Sequence, residues 1–152
     1  AGHFAAVLSP FMTIEEAYLL CKYLKSLDSK VQLVLGPVPV EGEDDRYPKT
    51  IDGGQPAPEK TKFTIRAEKC PNRRGVEMVL KHFQGSVVPL DQLLQGGHHV
   101  RYWYIVGGYP RVWVDDRLDR AIGEAELLIV QDIFPSLLTA RANVVLAGAT
   151  FN

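Results

Sequence analysis

The chain has 152 residues, of which 46% are apolar and 23% charged, and its formal net charge is −1. This length suits one domain with a sizeable core, and the composition is typical of a globular protein. The near-neutral charge lacks the basic excess of a nucleic-acid binder, and the chain has no apolar run near the roughly 20 residues that cross a bilayer. We therefore expect no nucleic-acid partner and no direct membrane insertion.

The first forty residues predict a strand, a helix and a second strand. Residues 3–9 form a short apolar run that ends at Pro10, which is typical of a buried strand. Thr13 and Glu16 have the spacing of a capping box at a helix start, and apolar residues then recur at helical spacing. Residues 31–40 return to a strand pattern. The three elements together indicate the start of a parallel βαβ unit.

The segment from about 36 to 62 differs from the rest of the chain. It is rich in Pro, Gly and acidic residues and shows no periodicity, so we expect no regular element in it. The whole chain, 1–152, is predicted to be a single α/β domain with this segment as an insertion. We expect the insertion to become ordered only against other parts of a larger protein.

The second half of the chain continues the alternation of strands and helices. Asn72 is placed as a helix cap and Gly85 as the end of that helix, and Asp115 or Asp116 as the cap of a later helix. A short helical turn is indicated between the first of these helices and the aromatic strand. Predicted strands are 63–65, the aromatic run 100–106, 126–132 and 143–149, with an irregular stretch before the last. The pattern predicts a Rossmann-like open, mostly parallel sheet with helices on both faces, a three-layer α/β/α fold.

Two predicted strand ends carry candidate binding residues. Ligands of open α/β sheets bind beyond the carboxyl ends of the strands. Gly107, Gly108 and Pro110 follow the aromatic strand, where glycines permit close backbone approach, although the pattern alone favours a plain strand-to-helix turn. Asp132 ends the next strand with Thr139 nearby, and it is either a ligand acceptor or the cap of the following turn.

Metal and catalytic patterns give no candidate. The two cysteines, Cys21 and Cys70, fit reduced thiols better than a disulfide framework, and they lack metal-ligand spacing. No nucleophile with an adjacent base emerges from the sequence, so we expect no catalytic residue in this chain.

The segment "VQDIFPSLLTARANVVLAGATF" resembles a stretch of the molybdopterin oxidoreductases that reads approximately V-V-Q-D-x-F-x-T-E-T-A-x-x-A-D-V-V-L-P-x-A-T-F. The upstream "YIVGGYP" is similar to that family's strand followed by Gly-x-Asn-Pro. "LSPFMTIEEAYLLCKYLKSL" and "EKCPNRRGVEMVL" resemble pieces of its large iron–sulfur subunits of NADH–quinone oxidoreductase. The likeness extends over most of the chain except the acidic insertion, and it identifies the chain as a fragment of such a subunit.

In the molybdenum enzymes of the family, the resemblance implies that this domain holds one guanine dinucleotide arm of the pterin cofactor. Carried over by position, the contacts would be Gly107, Gly108, Pro110, Asp132 and Thr139. Three residues depart from the motif at positions that bear on binding: Tyr109 stands for Asn, Asn143 for Asp and Ala147 for Pro. These departures fit the respiratory branch, whose domain keeps the fold without the molybdenum cofactor, so the five contacts would be vestigial.

The resemblance therefore implies a scaffold domain of respiratory complex I. Its partners would be other domains of the same subunit and neighbouring subunits, at the cytoplasmic face of the inner membrane. The parent subunit would be an oxidoreductase with iron–sulfur clusters, whereas this chain would hold no cofactor. The alternative is a pterin-guanine-dinucleotide-binding domain of a molybdenum oxidoreductase such as formate dehydrogenase.

Overall fold

The computed structural model describes residues 3–96 and 100–149. The chain divides into two units. The first is made by the chain up to Pro37 and from Pro71 onward, and the second is Val38–Cys70. The second unit thus takes up most of the segment that the sequence marks as an insertion.

The first unit alternates strands and helices in chain order. Its elements are β1 (Phe4–Leu8), α1 (Ile14–Leu27), β2 (Gln32–Leu35), α2 (Arg73–Gln84), β5 (Val88–Pro89), α3 (Leu90–Gln95), β6 (Tyr102–Val106), α4 (Asp116–Gly123), β7 (Leu127–Asp132), α5 (Leu137–Arg141) and β8 (Val144–Ala147). The second unit contains β3 (Asp45–Tyr47), a 3-10 turn (Pro58–Lys60) and β4 (Phe63–Ile65).

One parallel sheet contains the six strands of the first unit in the order β5-β2-β1-β6-β7-β8. Every described pairing in this sheet is parallel. Numbered by their succession along the chain, the strands read 3-2-1-4-5-6, which is the order of the doubly wound dinucleotide-binding domains. The predicted fold class, an open parallel sheet within an α/β architecture, is confirmed.

Helices cover the two faces of the sheet. Ala5 and Val7 of β1 belong to one core cluster with Leu118 of α4 and Leu138 of α5. The alternate residues of β1, Ala6 and Leu8, are also fully buried and therefore point to the other face. There α1 packs against α2, which in turn packs on β2.

The start of α1 was predicted correctly. The Thr13 side chain accepts a hydrogen bond from the Glu16 N–H at 3.2 Å, and the Glu16 carboxylate accepts one from the Thr13 N–H at 2.8 Å. This reciprocal arrangement satisfies two donors of the first turn, as the capping-box spacing indicates. Below it, the stripe of α1 that faces the sheet is buried at Ala17, Cys21 and Leu24.

The second strand is shorter than the predicted 31–40. It ends at Leu35, and the N–H of Gly36 makes one more bond, to the Leu8 carbonyl at 2.8 Å. Pro37 and Pro39 have no N–H to continue the ladder. The apolar character of the run therefore misled the prediction about where the strand stops.

Two short elements of the first unit were missed. The predicted irregular stretch before β8 contains α5, which begins with a second capping box between Ser136 and Thr139. A helix of five residues is too short to show an apolar period, so only its cap could have predicted it. The predicted adjacent strands at the end of the chain are therefore a β7-α5-β8 crossover. The two-residue β5 was too short to predict.

The cap residue Asn72 does not act as predicted. It is the residue before α2, yet its side chain makes no cap bond and instead donates to the Met12 carbonyl at 2.8 Å. Gly85 ends α2 as expected, in the left-handed region at a φ of 77°.

Within the second unit, β3 and β4 form an antiparallel hairpin. The rings of Tyr47 and Phe63 stack across it at a centroid distance of 5.0 Å. The strand at 63–65 was predicted, whereas the expectation that the insertion holds no regular element is wrong for Asp45–Tyr47. Cross-strand aromatic pairing stabilises this short ladder in place of a long apolar pattern. Among the described residues, no helix is long and apolar enough to cross a membrane.

We predict opposite effects of alanine at two glycines with open space around them. An added Cβ meets nothing within 4 Å at either Gly85 or Gly123. Gly85→Ala should lower the free energy of unfolding by about 1 kcal/mol, because an L-residue resists the left-handed conformation. Gly123→Ala, at the end of α4, should raise it by about 0.5 kcal/mol by restricting the unfolded chain. Urea unfolding of both variants checks this, and equal effects would contradict it.

We also predict that the two thiols differ in reactivity. Burial raises the pKa of the Cys21 thiol to about 12, whereas Cys70 is half-exposed. Because the thiolate is the nucleophile, an aromatic disulfide reagent at mildly alkaline pH should modify Cys70 rapidly and Cys21 only on unfolding. The release of the coloured thiolate measures this. The same titration in urea is the control, in which both cysteines should react at the same rate. Equal reaction rates of the two thiols in the native protein would refute the prediction.

Candidate functional site

The site expected for a doubly wound sheet lies at the carboxyl ends of β1 and β6. These strands are neighbours at the middle of the sheet. The chain leaves β1 for α1 on one face and β6 for α4 on the other, so a crevice opens between their carboxyl ends. Phe11 and Met12 follow β1 here, and Gly107 and Gly108 follow β6.

The structure brings together four of the five predicted contacts. Gly107 and Gly108 lie beside Asp132 at the carboxyl ends of β6 and β7, and Pro110 borders a cleft that Asp132 also lines. Thr139 lies apart from them in α5, where its side chain hydrogen-bonds to the backbone of Ser136. The backbone of Gly107 and Gly108, from the β6–α4 loop, is thus next to the Asp132 carboxylate at the end of β7, and Pro110 shares a cleft with it.

The Asp132 carboxylate joins these two loops. It is 8% exposed, and its Oδ1 accepts a hydrogen bond from the Gly108 N–H at 2.9 Å. The same oxygen accepts from the N–H groups of Ile133 at 2.7 Å and Phe134 at 3.3 Å. An anion bound to three backbone donors stabilises both turns at once. Of the two roles that the sequence left open for Asp132, the structure shows the one in which it holds local backbone.

The two glycines are needed for this contact. A Cβ on Gly107 would lie 2.2 Å from Asp132 Oδ2 and 2.4 Å from its Cγ, so only glycine allows the carboxylate to come so near. Gly108 has a φ of 84°, which a side-chain-bearing residue rarely adopts. The glycine pair therefore allows the side chain of Asp132, a residue of the same chain, to pack against this backbone.

Tyr109 fills the space beside these glycines. It is 6% exposed, and its hydroxyl donates to the Pro37 carbonyl at 3.0 Å. Its ring stacks on Trp113 at 4.5 Å and meets the edge of Phe11 at 5.2 Å. From the sequence, Tyr109 was noted only as a departure from a motif, because its neighbours along the chain give no sign of a hydrogen bond to Pro37.

The other two departures have different surroundings. Asn143 lies by the start of β7, at the opposite edge from the crevice, where its Oδ1 accepts from the Leu128 N–H at 2.7 Å. Ala147 pairs with Asp132 in the register of β8 on β7. Asn143 therefore stabilises the sheet and is distant from the Asp132 cluster along β7.

Residues that the structure describes line two clefts beside Asp132. The first, of about 120 Å³, is bordered by Met12, Glu16, Gly108 and Asp132. The second, of about 380 Å³, lies between the β6–α4 and β7–α5 loops, and its walls are mainly apolar. They include Pro110, Val112, Trp113, Phe134 and Leu137. Only the second reaches the size of about 300–1,000 Å³ usual for small-molecule sites.

The fold and these contacts define the chain as a doubly wound α/β domain whose strand-end glycines enclose an internal carboxylate. Comparison of the sequence and the structure with protein-family models, curated proteins and solved structures finds no match. In the part of the chain that the structure describes, no three His, Cys, Asp or Glu side chains converge as metal ligands would.

We predict that Asp132 is a stability residue of this edge. Asp132→Ala should lower the free energy of unfolding by about 3 kcal/mol, because three backbone N–H groups lose a charged acceptor that is itself buried. Urea unfolding followed by tryptophan fluorescence measures the loss.

The matched control is Asp91→Ala. The Asp91 side chain is 68% exposed and pairs with Arg117 at 2.6 Å, so its loss should cost less than about 1 kcal/mol. Equal losses in the two variants would contradict a special role for the buried carboxylate.

Proposed function

We propose that this chain is a scaffold domain of the large iron–sulfur subunit of an NADH–quinone oxidoreductase, and that it has no redox centre of its own. The observation that carries the proposal is the use of Asp132. Its carboxylate binds the chain's own backbone donors at the edge where relatives of this fold bind a dinucleotide. The proposed family rests on the resemblance of the segments "QDIFPSLLTARANVVLAGATF" and "YIVGGYP" to that family.

A ligand site needs donors and acceptors that are open in the unbound protein. A phosphate or ribose oxygen at this edge would have to compete with Asp132 for the N–H groups of Gly108 and Ile133. Breaking those bonds leaves a buried carboxylate without them, which costs more than a new hydrogen bond returns. Tyr109 adds bulk at the same place, so the arrangement favours rigidity over binding.

Exposed apolar surface on the last strand supports a role in packing. Val144, Val145 and Leu146 of β8 are 42%, 50% and 43% exposed although their composition is that of a buried strand. β8 is also an edge strand of the sheet. Strands of this kind are protected in most proteins, and uncovered ones mark contact sites.

A second apolar surface lies on α1. Leu19, Tyr23 and Leu27 are more than half exposed. We infer that other domains of the same subunit and neighbouring subunits cover such surfaces. The parent would contribute the iron–sulfur clusters and the NADH dehydrogenase activity, at the cytoplasmic face of the inner membrane. The chain itself would not be catalytic.

The second candidate is a domain that binds the guanine dinucleotide arm of a molybdopterin cofactor. The 380 Å³ cleft beside Asp132 favours it, because the cleft has the volume of a ligand site and Ser136 supplies a polar group to its wall. In that case Pro110 and Asp132 would border the bound nucleotide.

Calorimetry with GDP separates these two functions. We expect no heat of binding to the chain, because the backbone donors at the strand ends already have acceptors. A micromolar dissociation constant that is lost in Asp132→Asn would favour the molybdenum enzyme and contradict the scaffold. Asp91→Asn is the control for a general effect of charge.

Assembly tests the scaffold directly. The tagged chain, expressed in the organism from which it comes, should co-purify with NADH-oxidising subunits. The NADH–ferricyanide reductase activity of the purified material measures this. Val145→Lys should reduce this activity at least tenfold, because a charge on the edge strand opposes burial. Val112→Lys, at an exposed residue of the β6–α4 loop, is the control and should retain it. Absence of the activity with the unmodified chain would overturn the proposal.

A further inference from the structure

The side chain of Tyr109 is held in the strand-end crevice in the way that proteins hold an aromatic ligand. One face of the ring stacks on Trp113, with an interplanar angle of 28°, and Phe11 meets it edge-on at 65°. The hydroxyl reaches a backbone carbonyl, that of Pro37, at 3.0 Å. Aromatic walls with one placed polar group are the usual design of a small-molecule site.

The ring spans the middle of the sheet. The local strand order is β2-β1-β6. Tyr109 follows β6, whereas its acceptor Pro37 follows β2, so the side chain reaches across the carboxyl end of β1. This is the place at which doubly wound sheets bind their ligands.

Gly36 leaves the room that the hydroxyl needs. A Cβ at this residue would lie 2.5 Å from Tyr109 Oη, far inside a normal contact, and 3.1 Å from the Leu8 carbonyl oxygen. The floor of the crevice is therefore shaped around the phenol oxygen.

We propose that Gly36, Pro37, Phe11 and Trp113 form a phenol-binding slot that Tyr109 occupies from within the chain. The class of ligand is a single aromatic ring with a hydroxyl group that donates to the Pro37 carbonyl. This proposal concerns contacts inside the chain, so it does not depend on the proposed function. A ligand that enters this crevice must displace Tyr109.

The test removes the ring and supplies it again as a free molecule. In Tyr109→Ala, 4-methylphenol should raise the thermal midpoint of unfolding in a saturable way, since a ligand that binds only the folded state stabilises it. Toluene has the same shape without the donor and should bind about tenfold more weakly. The unmodified chain should show no midpoint shift with either molecule.

Three results would overturn the proposal: no shift of Tyr109→Ala with 4-methylphenol, equal affinity for toluene, or the same shift in the unmodified chain. If Tyr109→Ala does not fold, a double-mutant cycle of Gly36→Ala with Tyr109→Phe decides. Gly36→Ala should lower the urea midpoint of the unmodified chain clearly more than that of Tyr109→Phe, because the clash is with the hydroxyl oxygen. Equal losses in both backgrounds would overturn the proposal.

Discussion

The contact between the Asp132 carboxylate and the backbone after β6 determines how the carboxyl edge of the sheet is built. One oxygen accepts from Gly108 in one loop and from Ile133 and Phe134 in the next. Because the carboxylate is buried, these bonds are strong and costly to break. They also require glycine at 107, where any Cβ would meet Asp132. The loops that carry ligands in other doubly wound domains are thus joined to each other.

Tyr109 is placed by this junction. Gly108 turns the chain through a φ of 84°, and the next side chain lies across the end of β1 with its hydroxyl on Pro37. The crevice between β1 and β6 is therefore filled from within. A filled crevice and an exposed apolar edge at β8 agree with each other in the proposed scaffold, since such a domain contributes surfaces and a rigid sheet. A domain that binds a nucleotide at this edge would instead need an unfilled crevice there.

Sequence reasoning succeeded where a signal is local. The capping box of Thr13 and Glu16, the helix end at Gly85 and the buried strand before Gly107 follow from residues within one or two turns, and all three are present. It failed where an element is short or where backbone geometry determines its end. The helix Leu137–Arg141 was interpreted as irregular, and β2 was extended past Leu35 into prolines. In both cases the apolar pattern was an insufficient signal, and the decisive residues were Ser136 and Pro37.

The sequence by itself determined the order of the longer strands and helices, the α/β class and the two strand ends at which a site could lie. Whether those ends face a ligand or the protein was decided only by the tertiary structure. The partners of the two deciding side chains are distant along the chain: Gly108 is 24 residues before Asp132, and Pro37 is 72 residues before Tyr109. A local pattern carries no information about such pairs. Only the order of the strands in the sheet brings them within hydrogen-bond distance.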